Sequence, residues 1–334
     1  MAGVSTPELA VAVSNAGGLG SLGSAMLSPA QFVEQMTTVR QATNQPVNAN
    51  FFVHPAPAAD ATREARLRER LAPYYHDLGI NPPAELTAPP SFDAAMLDAV
   101  VDASPAVVSF HFGLPTQTAL AAVKATGAFV LSSATTVAEA RQLETDGADA
   151  IIAQGYEAGG HRGTFASAFE VAQIGSFALV PQIVDAVAVP VIAAGGIADG
   201  RGIAAALALG ADAVQIGTAF MRCPEAATSE LHRRALAATT DAGTNVTRAF
   251  SGRPARALTN RYVDEMRDYD DYPDFPLVRS LSGPLAKATS ESGSDDFLSM
   301  WAGQAAALGR EIGAAELVKV LMDEAQAVLL RLQP

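Results

Sequence analysis

The residues of this chain best suited to chemistry lie in the decapeptide Gln154-Gly155-Tyr156-Glu157-Ala158-Gly159-Gly160-His161-Arg162-Gly163. It follows the apolar run Ala148-Asp149-Ala150-Ile151-Ile152-Ala153, which reads as a buried strand. Its glycines, Glu157 and His161 therefore stand where a strand ends. Paired glycines let a backbone approach a ligand closely or take positive φ. His161 is the side chain there that can exchange a proton near neutral pH. The same residues would also suit a plain strand-to-helix turn with a solvated histidine.

A second chemical signal lies downstream, in Gly195-Gly196-Ile197-Ala198-Asp199-Gly200 and Gln215-Ile216-Gly217-Thr218. Both sit at the ends of strand-like runs. Glycine turns expose backbone N–H groups, and a following helix N-terminus adds a positive dipole end, which together suit a phosphate. The bland alternative is a pair of tight βα turns, with Asp199 as the N-cap of a helix over 201–209. His111 ends another strand between Phe110 and Phe112, and either faces the strand ends or lies under later helices. His54, His76 and His232 sit in polar surroundings and are expected to be solvated. Cys223 reads as a packed thiol, and Trp301 as a core anchor with Gly303-Gln304 leaving a cofactor contact open.

These sites need a repeating scaffold. Strand-like runs at Gly18–Gly23, Pro46–Val53, Ala106–Gly113, Phe129–Ser133, Ala150–Gln154, Pro190–Gly196 and Ala213–Gly217 alternate with amphipathic helical stretches. One helix is expected over Gln31–Thr43, another ending at Gly127, and one between a Thr136/Glu139 capping box and Gly147. His54 to about Pro90 reads as a helical excursion. Gly147-Ala148-Asp149-Ala150-Ile151 echoes in Gly210-Ala211-Asp212-Ala213-Val214, each a helix-ending glycine running into a strand. No G-x-G-x-x-G fingerprint opens the chain, and the ligand-like glycines fall on late strands, so a TIM (β/α)8 barrel is favoured over an open doubly wound sheet. Seven strands are legible where a barrel has eight, which predicts a missing first strand and an upstream start. The expected division is a barrel over 1–222, a lid or small subdomain over 223–291, and closing helices over 292–334 beginning at Phe297–Gln304.

Composition narrows the classes. Hydrophobic residues make up 49% and the formal net charge is −13. Strong acidity argues against nucleic-acid or anionic-membrane partners. No apolar run is long enough to span a bilayer, no secretory signal is legible, and one cysteine with no cluster of zinc ligands predicts neither disulfide nor metal. The expectation is a soluble, cytoplasmic protein.

Ser14-Asn15-Ala16-Gly17-Gly18-Leu19-Gly20, Gln154 to Gly163, Ala193 to Gly202, Gln215 to Phe220 and Trp301 to Gln304 together resemble the nitronate monooxygenases, formerly 2-nitropropane dioxygenases. The resemblance covers almost the whole chain and is nearest to the bacterial class I members. The decapeptide is shared in part with FMN-dependent enoyl-ACP reductases. The resemblance implies an FMN-bearing barrel that oxidises alkyl nitronates, such as propionate 3-nitronate, with O2 to an aldehyde or oxo acid plus nitrite. It implies FMN contacts at Asn50, Gln154, Gly159, Gly195, Gly196, Gln215, Ile216, Gly217 and Thr218, with Met1, Ala2 and Gly3 in the loop near the flavin ring. It makes His161 the active-site histidine and His111 a substrate-side one. Phe275 and Arg279 stand where close relatives carry tyrosines. Two other readings stay open, an NAD(P)H-dependent flavin reductase and a catalytically idle flavin- or phosphate-binding barrel.

Overall fold

A computed structural model describes residues 1–88 and 91–333, so the expected end of the excursion near Pro90 and the terminal Pro334 lie outside the described residues. All seven legible strands are present: β1 (Gly20–Gly23), β2 (Val47–Phe52), β3 (Val107–His111), β4 (Phe129–Ala134), β5 (Ala150–Gln154), β7 (Val191–Ala194) and β8 (Ala213–Gln215). They form one parallel sheet in that order, curled as in a TIM barrel. The β1 and β8 edges are not paired to each other among the described residues. β5 is buried along its whole length, as expected of a strand covered on both faces. At the open seam Ala2 packs against Gly23, at the end of β1, and the Met1 side chain lies 3.7 Å from a Cβ built on Gly217, just past β8.

The helices alternate with these strands: α1 (Pro7–Asn15), α2 (Pro29–Ala42), α3 (Ala61–Asp77), α4 (Ala94–Ala103), α5 (Gln117–Ala125), α6 (Val137–Asp146), α7 (Ser176–Val184) and α8 (Gly200–Ala208). Their ends follow local chemistry. Ser28 and Gln31 close a capping box on α2 ahead of Pro29, and Gly147 ends α6 with φ +105°. α3 is the excursion, its Leu67, Leu71, Tyr74 and Tyr75 buried against residues beyond 248. The Thr136/Glu139 box is half made. Thr136 Oγ1 accepts from Glu139 N–H at 3.2 Å, but the Glu139 carboxylate turns away. It accepts instead from Thr135 and from the N–H groups of Phe165, Ala166 and Ser167. Those five donors hold a fully buried carboxylate and, through it, the loop after the decapeptide.

After β8 come α9 (Glu230–Ala238), β9 (Thr244–Thr247), β10 (Ala255–Leu258), α10 (Arg261–Glu265), α11 (Arg279–Glu291) and α12 (Ala314–Arg331), the last packed on α8 and α1. β10 is the centre of a small antiparallel sheet, flanked by β9 and by β6 (Gly160–His161). The sequence expectation that Phe297–Gln304 opens a helix is corrected. This segment is extended because β10 recruits it: Leu258 N–H donates to Met300 O, Ala302 N–H to Arg256 O, and Trp301 bridges Ala257.

Candidate active site

At the end of β5 the chain leaves the parallel sheet and returns as β6, with His161 opposite Ala255 and Gly160 opposite Arg256. Nearly every polar group in this corner is engaged. Gln154 donates from Nε2 to the His161 carbonyl at 3.0 Å, and its Oε1 accepts from Gly163 N–H and Arg162. Arg162 donates to the carbonyls of Gln154, Gly155 and Ala172. The Glu157 carboxylate accepts from Ser176 N–H and Oγ–H at the start of α7. A Cβ on Gly159 would meet Gly303 N at 2.5 Å, so glycine there answers to the Ala302–Gly303 backbone. Gly160 needs its φ of +74°, and beside it a Cβ would meet open space.

The His161 ring sits in a box of aromatic rings. Its centroid lies 5.2 Å from those of Phe275 and Trp301, and 6.0 Å from those of Phe52 and Phe112. Nε2 lies 2.8 Å from Ser251 Oγ, and Ser251 Oγ lies 3.3 Å from the Arg253 carbonyl, which can only accept. The assignment that satisfies both contacts has His161 Nε2–H donating to Ser251 and Ser251 O–H donating to Arg253, which leaves Nδ1 with a free lone pair. Burial pushes the His161 pKa down to about 3, and the neighbouring charges of His111, Arg253, Arg279 and His54 push the same way. At neutral pH this imidazole is neutral.

His111 is fixed behind it. Its Nε2–H donates to the His161 carbonyl at 3.0 Å and its Nδ1 accepts from Ser133 at 3.1 Å, so both ring nitrogens have protein partners. Burial lowers its pKa to about 4, opposed by the hydrogen bond to His161. Gly163 makes room for it, since a Cβ there would come within 2.8 Å of His111 Cε1.

The β7 and β8 ends differ. Gly195 and Gly196 have φ of +108° and +72°. The N–H groups of Gly196 and Gly217 donate to no protein acceptor among the described residues. Two free donors on adjacent turns, with no side chain in the way, fit a phosphate. The α8 N-terminus contributes less than its position promised. Asp199 caps it by accepting from Arg201 and Gly202 N–H, and Glu324 accepts from Gly200 N–H. Thr218 Oγ1 accepts from Gly303 N–H at 2.9 Å, and Gln304 N–H donates to Glu157 O, so the Trp301–Gln304 segment ties the two site regions together. Asn50 is half-buried and oriented by Ser109; Ile216 is half-buried and Gln215 exposed. Met1 lies beside Gly217 and Ala2 against Gly23 at the β1–β8 seam, and a Cβ on Gly3 would meet open space.

Sequence reasoning named Phe112, Phe275 and Trp301 without bringing them to His161, and it assigned no role to Ser251 or Arg253. Ser251 and Arg253 lie far downstream in a stretch marked only by its break in βα rhythm, and Phe275 was noted only as standing where close relatives carry tyrosines. Phe112 was named for its alternation alone, yet it is a buried non-glycine residue at φ +75°, a strained conformation typical of functional sites. Two expected solvated histidines are corrected. His54 is half-buried against Phe275, and His232 is buried with no hydrogen-bond partner for Nε2 among the described residues. His76 is exposed, and Cys223 is a buried free thiol with its pKa pushed up to about 12 by burial.

The chain matches the nitronate monooxygenase family model over residues 1–324. It is 45% identical to the nitronate monooxygenase of Pseudomonas aeruginosa, covering 97% of this chain and 94% of that protein. Among solved structures, nitroalkane oxidase from Streptomyces ansochromogenes superposes with a TM-score of 0.92 at 40% identity, over 100% of this chain and 96% of the other. FabK from Thermotoga maritima is similar at a TM-score of 0.75 and 29% identity, over 99% and 92%.

Proposed function

This chain belongs to the nitronate monooxygenase family of oxidoreductases, and on that premise we propose that it oxidises alkyl nitronates with O2, using FMN, to an aldehyde or oxo acid and nitrite. FMN, when bound, supplies the electron-accepting chemistry. The Gly195-Gly196 and Gly217-Thr218 turns would hold its phosphate, with Asn50, Gln215, Ile216 and Met1 to Gly3 around it. A nitronate is already a carbanion equivalent and needs no base, whereas a neutral nitroalkane must lose an α-proton. The aromatic box around the half-buried His161, beside two turns with free N–H groups, is the observation that carries this reading, and the neutral ring's Nδ1 adds a proton acceptor for a nitroalkane. His111 and Gln154 act by holding the His161 peptide rather than by touching substrate. The Phe52, Phe112, Phe275 and Trp301 rings keep water from the reacting carbon.

Oxygen uptake by flavin-loaded protein with propionate 3-nitronate tests the reading, with nitrite as the accompanying product. The similarity to FabK keeps a reductase activity in view. Bleaching of the flavin by NADH in the absence of nitronate, with no oxygen uptake when nitronate is added, would replace the oxidase reading with that one.

A further inference from the structure

A concentration of arginines lies away from the phosphate turns. A cavity of about 410 Å³ opens on the far side of Phe275 and is lined by Arg63, Arg162, Arg248 and Arg253 against two carboxylates, Asp270 and Asp274. In a chain of net charge −13 the cavity lining itself carries more cationic than anionic side chains.

The four arginines are not equally neutralised. Arg63 has Asp271 at 3.4 Å, Asp60 at 3.6 Å and Asp274 at 3.9 Å. Among the described residues Arg248 pairs only with the exposed Glu170, at 3.6 Å, an ion pair that solvent screens. Arg253 makes no ion pair among the described residues. It donates to the Thr164 carbonyl and lies with Cζ 3.8 Å from the Phe112 ring centroid. Arg162 is 2% exposed and meets only amide oxygens, and its Nε has no partner among the described residues. Burial pulls the pKa of Arg162 and of Arg253 down to about 10, which still leaves both charged at neutral pH. Buried or half-buried cations without counter-ions are costly to keep unless something else answers their charge.

The wall between cavity and box is one ring thick. Phe275 lines the cavity and faces His161 at 5.2 Å, and Arg253 Cζ lies 5.8 Å from the Phe275 ring centroid. A guanidinium presents a planar fork that matches two oxygens of a planar anion. A nitronate carries its charge on such an O–N–O group.

We infer that this cavity is a binding site for a small planar oxyanion, built on Arg253 and Arg248, that gathers the anionic substrate beside the His161 box. The substrate's identity rests on the nitronate reading; the anion class rests on the arginines alone. Without such a site, the overall negative charge would lower the local concentration of an anionic substrate.

Nitrate serves as the planar probe, titrated calorimetrically into flavin-loaded protein at low ionic strength. The expected result is one saturable site, about tenfold weaker in Arg253→Gln and in Arg248→Gln, and less weakened in Arg253→Lys. Arg248 is half-exposed and its one ion pair is to an exposed carboxylate, so its variant reports even where an Arg253 variant fails to fold. In turnover, kcat/KM for a nitronate should fall as salt is added, with a shallower slope in Arg248→Gln, while the matched neutral nitroalkane shows no such slope in the parent. No nitrate binding by the parent, or binding by both glutamine variants as tight as the parent's, overturns the site. Arginine-dependent nitrate binding with salt-independent nitronate turnover overturns its role in gathering substrate. Arginine-dependent binding by a protein that turns over no nitronate leaves the anion site standing and removes the functional reading instead.

Discussion

The two ends of the site are built on opposite principles. At the β5–β6 corner nearly every polar group is engaged: Gln154 on the His161 carbonyl, Arg162 on three carbonyls, Glu157 on Ser176 and Glu139 on three N–H groups of the following loop. At the β7–β8 turns Gly196 and Gly217 present N–H groups with no protein acceptor among the described residues. A saturated corner is rigid and can hold one ring nitrogen in place, which catalysis by proton transfer requires. An unsaturated turn waits for a ligand. Substitutions in the two regions should therefore fail in different ways, the turns through lost cofactor and the corner through lost rate.

The largest effect is expected from Gly196→Val. A β-branched residue at φ +72° is strained, and relaxing it turns the N–H away from its free position. FMN affinity should drop about hundredfold, given a few kcal/mol of strain and lost contact. Gly217→Ala is the milder companion, because Gly217 has φ −109° and its added Cβ would sit 3.7 Å from Met1 Sδ. Flavin titration of both variants decides the matter. Equal, undiminished affinities would move the phosphate elsewhere.

His161→Ala comes next. Loss of a general base costs about 10²–10⁴-fold in rate, so nitroalkane oxidation should fall by that order. Nitronate oxidation should fall less, because no proton has to be removed, and FMN content should hold. Steady-state oxygen uptake with a matched nitroalkane and nitronate is the measurement. Equal loss on both substrates would show that the residue shapes the corner without moving a proton.

Ser251→Ala is gentler. It removes the one partner that selects the Nε2–H tautomer and leaves the ring otherwise boxed. A single neutral hydrogen bond is worth about 1 kcal/mol, so kcat/KM for the nitroalkane should fall about fivefold to tenfold, and that for the nitronate hardly at all. A parallel drop for both would assign Ser251 to packing.

The two regions also differed in how far they could be read from sequence. The β7–β8 turns are local: each strand is a short apolar run, and glycines at its end carry the signal. The decapeptide was equally visible, but its partners were not. Ser251 is 90 residues from His161, and β6, at two residues, is too short to produce any alternation. Phe297–Gln304 misled because an apolar stretch before a helix looks helical until β10 pairs with it. His232 misled because Glu230, Arg233 and Arg234 surround it in sequence, while the helix turns it to the same buried face as Leu236.

That histidine supports the smallest prediction, one that separates stability from catalysis. His111, His161 and His232 have pKa values lowered to about 4, 3 and 4, with burial the largest cause in each. For His232 the Trp301 backbone opposes the shift, yet Nε2 has no hydrogen bond of normal geometry. A folded-state pKa below the unfolded value of about 6.5 means that the unfolded chain binds more protons between the two, so stability falls as pH drops from about 6.5 towards 4. Each such histidine then costs about 1.4 kcal/mol per pH unit across that window. His232→Leu keeps the volume near constant, removes an unpartnered buried nitrogen and removes one of the three titrations. Urea midpoints of flavin-loaded parent and variant at pH 7 and pH 5 should show the variant at least as stable at pH 7 and losing less at pH 5. An identical loss in the two proteins would mean that His232 takes up its proton in the folded state and contributes nothing to the acid limb.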